Sequence, residues 1–369
     1  MSKVRSRAAV LRVEGGPLEL EEIHWDDPRD NEVGVRVVAC GVCHSDWHAV
    51  TGDYPVTYPI LVGHEGTGTV ERIGSAVSRV QSGDPVVLSW MPSCGHCSWC
   101  VQGRGHLCDR GARLLSGERD DGTTRATLSD GTPIRQLSFL GAFSEYIVVP
   151  EDACIPVPRT LRLESLAPIG CRLPTGWGAV TNVAAVQEGE SALVVGLGGV
   201  GISVLQGLRH AGATVRIAAD VADKEGFATR FGATHFINLS REPLDQRVRQ
   251  VCPAGVDVAF DAVGRPEIQA ACVGLTTKGG RTILVGVAPQ GVKSLEADLQ
   301  NVTLYERSVR GVCYGGESPF SLVPKLLALY EGGLLEIEEM VTRRYHLGEV
   351  NEAFADMLSG KNVCGTIDF

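Results

Sequence analysis

At 369 residues the chain exceeds what one ordinary core fills, and with domains of roughly 150 residues it reads as two. Hydrophobic residues at 44% and charged residues at 21% describe an ordinary soluble composition, while a formal net charge of −10 lacks the Lys and Arg excess that a phosphate backbone demands. No nucleic-acid partner is expected.

The N-terminus, MSKVRSRAAVLRVEGG, reaches its first Gly-Pro turn without a continuous apolar core. Neither a signal peptide nor a membrane span is expected there, and the protein is expected in the cytoplasm. Reduced cytosolic thiols make twelve cysteines a matter of metal ligation and buried packing rather than disulfides. Residues 7–39 alternate apolar and polar side chains in short runs broken by Gly-Pro and Asp-Asp-Pro, the antiparallel β pattern, which continues through GTGTVERIG and DPVVLSW.

On the loops of this β-rich part lies CGVCHSDWHAVTGDYPVTYPILVGHEGTG, residues 40–68. It offers the thiol of Cys43, the imidazole of His64 and the carboxylate of Glu65, and a second thiol stands far downstream at Cys171. Two Cys and one His with a fourth position open is the ligand set of a catalytic zinc. Taken singly, each residue also fits a buried thiol or a core histidine. Asp46 is placed to hydrogen-bond a ligating imidazole such as His64, and Ser45 and His48 are candidates for carrying a proton away, although turn chemistry explains them equally well.

Next, Cys94, Cys97, Cys100 and Cys108 follow a C-x2-C-x2-C-x7-C spacing. Four thiolates from one loop make a closed tetrahedral site with no corner left for substrate, hence a structural zinc. The other six cysteines, Cys40, Cys154, Cys252, Cys272, Cys313 and Cys364, read as core. Residues 110–140 are polar and turn-rich and read as an extended surface loop or hairpin. The first domain is expected over residues 1–172, with Cys171 just before the helix that begins the second.

Within the second domain, residues 173–313, the chain reads ESALVVGLGGVGISVLQGLRHAGATVRIAAD from Glu190. An apolar strand runs into Gly196, Gly198 and Gly201 spaced as G-x-G-x-x-G, then a helix, then a strand ending at Asp220. Such glycines let a pyrophosphate approach the helix N-terminus, and the acid accepts ribose hydroxyls, so a dinucleotide is the expected cofactor. The next residues, Val221 and Ala222, offer no charge to balance a 2′-phosphate, and Arg216 and Lys224 read as surface charges, so NAD(H) is expected over NADP(H). Further βα units follow: ATHFINL, a helix around 244–251, VDVAFDAVG, a helix over 266–275, and the strand RTILVGV. They imply a doubly wound parallel sheet. Residues 314–369 return to the first domain.

CGVCHSDWH, GHEGTGTVERIG, the four-Cys loop, GCRLPTGWG, GLGGVG with Asp220, and SGKNVCGTIDF resemble the zinc-dependent medium-chain alcohol dehydrogenase family over essentially the whole chain. PSCGHCSWC, LGAFSEY and PTGWG are most similar to a bacterial long-form branch that holds its nicotinamide cofactor tightly and passes electrons to an external acceptor. The resemblance implies an α/β fold: a GroES-like β-rich catalytic domain plus a Rossmann doubly wound parallel-sheet cofactor domain. It further implies two zinc ions per chain, NAD(H), an alcohol, aldehyde or ketone substrate, and a homodimer or homotetramer. Cys43, His64 and Cys171 match the catalytic zinc ligands, with Glu65 an alternate one. Ser45 matches the hydroxyl that takes the substrate proton, His48 the imidazole that relays it, and Asp46 the partner of the ligand histidine. Thr175, Gly199, Val200, Val285 and Val287 fall at cofactor positions; Trp47, Trp90, Phe139, Leu140 and Val287 fall around the substrate channel, where Phe139 and Leu140 are alternatively core. The departures are His44 where many members have Arg against the pyrophosphate, Gly365 where some have another Arg, and Arg172 where Gly is common. Three other readings stay open: a thiol-adduct formaldehyde dehydrogenase, a zinc-free double-bond reductase, which the intact ligand set opposes, and a nucleotide-sensing regulator without turnover.

Overall fold

Alternating valines explain the strand on which the first unit is built, Glu32–Val42, where Val33, Val35, Val37, Cys40 and Val42 all enter the apolar core. Its neighbours pair with it antiparallel: Gly66–Ile73 along most of its length, Tyr146–Pro150 at its start and Gly365–Asp368 at its end. The last pairing sets Gly365 opposite Val42, so the C-terminal strand fixes the backbone one residue before Cys43. These strands belong to a seven-stranded sheet, and a closed barrel is formed by Val4–Leu11, Leu18–Trp25, Ala126–Thr127, Pro133–Gln136 and Ile60–Leu61. The computed structural model describes residues 3–221 and 224–369. It divides into two units, one of residues 1–171, 318–332 and 336–369, the other of residues 172–317 and 333–335.

In the second unit every pairing of the six-stranded sheet is parallel, in the order His235–Asn238, Val215–Asp220, Ser191–Val195, Val256–Asp261, Thr276–Leu284, Ser308–Gly311. This order, reversing beside the first of these strands in the chain, is the doubly wound arrangement whose switch point lies at that strand's carboxyl end. Strands covered on both faces run apolar without alternation, as Ala192–Val195 and Ala259–Phe260 do, all fully buried. The helices Leu244–Val251 and Pro266–Leu275 form as expected. The strand expected over RTILVGV instead runs Thr276–Leu284, with the glycine pair 279–280 inside it, so Val285 and Val287 lie beyond its end. Of the six cysteines read as core, Cys40, Cys154, Cys272 and Cys364 are buried, whereas Cys252 and Cys313 are half-buried. Among the described residues no helix is long and apolar enough to cross a membrane.

The turn-rich stretch expected as a surface loop or hairpin does contain a hairpin, Ala126–Thr127 with Pro133–Gln136, but it closes the barrel and carries two buried arginines. Arg119 Nε donates to Glu32 Oε1 at 3.1 Å, its Nη1 to the Phe139 carbonyl at 3.1 Å and its Nη2 to Gln136 Oε1 at 2.8 Å. Arg125 Nε donates to the other Glu32 oxygen at 2.7 Å. Burial pulls the Arg119 guanidinium down to about 10, against the opposing charge of Glu32. Removing one partner of such a group strands the others in low dielectric. Glu32→Ala is therefore expected to destabilise the protein by about 3–5 kcal/mol, read from urea unfolding; a loss below about 1 kcal/mol, the worth of an exposed pair, would show the cluster to be solvated.

Candidate active site

As the strand Glu32–Val42 ends, Cys43 stands in extended backbone (φ −130°, ψ 152°) at the cap of the helix His44–Val50. One turn of this helix carries Ser45, Asp46, Trp47 and His48. Ser45 and His48 are three apart and so share a face, whereas Asp46 is fully buried. The Asp46 carboxylate accepts the Gly63 N–H at 2.7 Å and lies 2.9 Å from Nδ1 of His64. Gly63 has a φ of +96°, and a Cβ there would come within 2.6 Å of the Phe143 backbone nitrogen, so a glycine is required to bring the histidine in. With Nδ1 engaged, Nε2 of His64 points to Cys171, 3.3 Å from its Sγ. Cys171 reaches this place 107 residues later, between the turn Ala167–Gly170 and the helix Arg172–Gly178, and is buried. Glu65, beside the histidine, is fully buried.

Burial works against a charged His64, but the Asp46 carboxylate and the Cys43 thiol outweigh it and raise the ring well above its ordinary value. Nitrogen and sulfur ligands of a tetrahedral zinc, at bond lengths near 2.0–2.3 Å, lie roughly 3.6 Å apart, close to the 3.3 Å observed here. His64 and Cys171 are therefore spaced as two donors to one zinc ion are, with the histidine held beside a carboxylate as metal-binding imidazoles usually are.

Around these donors, Ser45 Oγ is 3.9 Å from Cys43 Sγ, and His48 Nδ1 is 3.0 Å from Asp53 Oδ2. A residue that sequence reading passed over lies beside them: Tyr54 stands close to Ser45 and Cys43, and burial, with the charge of Cys43 adding to it, pushes the phenol up to about 12. Only its place eleven residues after Cys43 could have marked it, and a Tyr-Pro turn carries no such signal. His44 is exposed at the start of the helix and Thr175 is half-buried in the second unit. Trp47 is half-buried with its ring 5.5 Å from Phe354, Trp90 packs against the core, and Leu140 is part of that core. Phe139 is buried with the Arg110 guanidinium 5.3 Å from its ring centre. Val285 is buried, its N–H donating to the Asp261 carbonyl at 2.9 Å, and Val287 is half exposed.

The four-Cys loop closes on itself. Its sulfurs lie within 4.8 Å of one another, with Cys94 to Cys100 and Cys97 to Cys108 both at 3.9 Å, against roughly 3.8 Å for a tetrahedral ZnS4 unit. Backbone donors of Asp109 and Cys100 pull the Cys97 thiol down to about 6, while burial pushes Cys108 up to about 12. A thiolate is thus at hand near neutral pH to start metal binding.

In the second unit each glycine of the fingerprint has its own reason. Gly196 takes a φ of +93°; a Cβ on Gly201 would lie 1.9 Å from the Gly196 carbonyl oxygen; a Cβ on Gly198 would meet nothing within 4 Å. Turn, helix-to-strand packing and open space for a phosphate are thereby separated. Gly198 caps the helix Gly199–His210, whose first turn includes Val200 and Gly201. Asp220 ends the next strand, and its Oδ2 accepts the Leu197 N–H at 2.7 Å. Lys224, expected as a surface charge, is instead largely buried, its Nζ 3.3 Å from Asp220 Oδ2 and 3.2 Å from the Leu197 carbonyl. Arg216 is likewise half-buried and bound to the carbonyls of Gly232 and Ala213. Both cations turn inward because backbone acceptors are closer than solvent. Ala222 lies outside the described residues.

Residues 29–159 match the family model of the alcohol dehydrogenase GroES-like domain, and residues 199–331 that of the zinc-binding dehydrogenases. An NDMA-dependent alcohol dehydrogenase from Amycolatopsis methanolica is 37% identical over 367 residues, 99% of each chain. An S-(hydroxymethyl)glutathione dehydrogenase from Paracoccus denitrificans is 36% identical over 98% of each. Among solved structures, benzyl alcohol dehydrogenase from Acinetobacter calcoaceticus superposes with a TM-score of 0.93 at 31% identity over 99% of both chains. With its thiol and imidazole donors, its glycine turn and this likeness over the full length, the chain is an oxidoreductase that belongs to the zinc-dependent medium-chain alcohol dehydrogenase family.

Proposed function

We propose that the protein transfers hydride between a small alcohol and NAD, with two zinc ions per chain, one catalytic and one structural. The observation that carries this reading is the convergence of His64 Nε2 on Cys171 Sγ beside Cys43, with the imidazole backed by Asp46. Cys43, His64 and Cys171 would hold the catalytic ion, with Glu65 alongside, and Cys94, Cys97, Cys100 and Cys108 the structural one. When bound, the first ion supplies a Lewis acid that makes a hydroxyl acidic near neutral pH, and the nicotinamide supplies the hydride acceptor. Ser45 then accepts the hydroxyl proton and His48 passes it to solvent. Asp46 keeps the His64 ring in place throughout. Trp47, Trp90 and Phe139 contribute apolar surface to the substrate channel, and Thr175, Val285 and Val287 bind the cofactor with the glycine turn. The same reading makes the protein a cytoplasmic homo-oligomer.

The deciding experiment combines elemental analysis with a panel of alcohols and aldehydes, run with added NAD and with an artificial electron acceptor. Two zinc ions and turnover of free alcohols are expected. Hydroxymethyl-thiol adducts belong in the panel, and their preferred turnover would replace this reading with the thiol-adduct one. One zinc or none in active protein would overturn the metal assignment.

NAD is favoured because the Asp220 carboxylate suits ribose hydroxyls and repels a 2′-phosphate. The expected margin over NADP is at least about tenfold, or roughly 1.4 kcal/mol. Lys224 tempers this repulsion in the wild type, and in Asp220→Ser its ammonium loses that counter-charge and becomes available to a phosphate. The variant should therefore narrow the margin, as measured by titrating both cofactors into protein freed of carried-over nucleotide. Tighter NADP binding by the wild type would refute the assignment.

A further inference from the structure

The segment after the helix His44–Val50 folds back on it. The Tyr54 N–H donates to the His48 carbonyl at 3.0 Å, the Tyr54 and His48 rings lie 5.2 Å apart, and Gly52 at φ +78° makes the turn. Between them, Asp53 brings Oδ2 within 3.0 Å of His48 Nδ1 and accepts the Thr51 hydroxyl on the same oxygen at 2.7 Å. Thr51 is itself tied to the helix through the Trp47 carbonyl, 3.2 Å from its hydroxyl and 2.9 Å from its N–H. The carboxylate is thus fixed from two sides rather than left on a mobile side chain.

We propose that Asp53 is a positioning residue for proton transfer: it holds His48 in the tautomer that carries hydrogen on Nδ1, so that Nε2 is presented as the acceptor. This rests on the reading of Ser45 and His48 as the proton path. The argument is one of hydrogen-bond inventory. An ionised carboxylate can only accept, so the ring nitrogen facing it must carry the hydrogen, and in a neutral imidazole the other nitrogen is then the base. Hydrogen bonds from His48 and then Thr51 hold the Asp53 carboxyl below its ordinary range, which keeps it ionised wherever the enzyme works near neutrality. When Nε2 takes a proton, the same carboxylate faces an imidazolium and stabilises it, the role an orienting aspartate plays behind a catalytic histidine. Among the described residues, the Tyr54 ring packs against His48, and its own helix carries His44 one turn back and Asp46, which is turned to His64.

The test uses full-length, zinc-loaded protein turning over an alcohol from the panel, with Asp53→Asn, His48→Gln and the double variant followed across pH. Asparagine keeps the size but loses the charge and can present either an acceptor or a donor to Nδ1. Asp53→Asn is expected to lower kcat/KM about tenfold and to move the acid limb of its pH profile down by about one unit, with the melting temperature unchanged. Adding Asp53→Asn to His48→Gln should cost nothing more, because its effect passes through the histidine. Asp53→Glu should restore part of the rate. A wild-type profile for Asp53→Asn, an additive double variant, or a rate loss matched by a lower melting temperature would each overturn the inference. A wild-type profile for His48→Gln would instead overturn the proton path beneath it.

Discussion

Cys43→Ala is expected to lower kcat/KM for an alcohol by about 10³- to 10⁴-fold, the worth of several kcal/mol of metal-supplied charge stabilisation at about 1.4 kcal/mol per tenfold. It should also reduce the zinc content from two ions to one. Stability should hardly change, for a structural reason: although Cys43 stands at the cap of the helix His44–Val50, its side chain makes no capping hydrogen bond. The helix is held instead by the burial of Asp46, Ala49 and Val50. Activity, elemental analysis and thermal unfolding on one preparation check all three statements. A variant within tenfold of wild-type activity would remove Cys43 from the metal.

Cys97→Ser should do the reverse. The loop from Cys94 to Cys108 contains only the short helix Ser98–Val101, with no buried residue, and the turn Gly105–Leu107, so it buries little apolar surface to hold itself together. In such a segment metal binding supplies folding energy directly. Loss of one thiolate is expected to release the structural ion and lower the melting temperature by more than about 10 °C. Any fall in activity should follow the unfolded fraction, whereas kcat/KM of the folded fraction persists. An unaltered melting temperature would mean that the four sulfurs, however close, do not carry a metal that matters to the fold. Together the two variants separate a metal used for chemistry from a metal used for structure.

What the sequence by itself determined here are the features whose physics is local. The glycine turn was legible because positive φ at Gly196 and close approach at Gly201 leave room for no other residue. The four-Cys loop was legible because fifteen consecutive residues hold all its ligands, and the helix Pro266–Leu275 because its first residue is a proline suited to a helix start. Tertiary structure alone decided the pairings between distant or ambiguous partners. Arg119 and Arg125 look like surface residues until the barrel closes over Glu32, 87 and 93 positions away. Lys224 looks solvated until the turn at Leu197 offers it a carbonyl next to Asp220. Asp53 and Tyr54 look like turn residues until the chain folds back to place one against His48 and the other against Ser45. In each case the side chain could equally have been hydrated, and composition carries no record of the choice. Burial makes it, because a polar group cut off from water must find its partner within the protein.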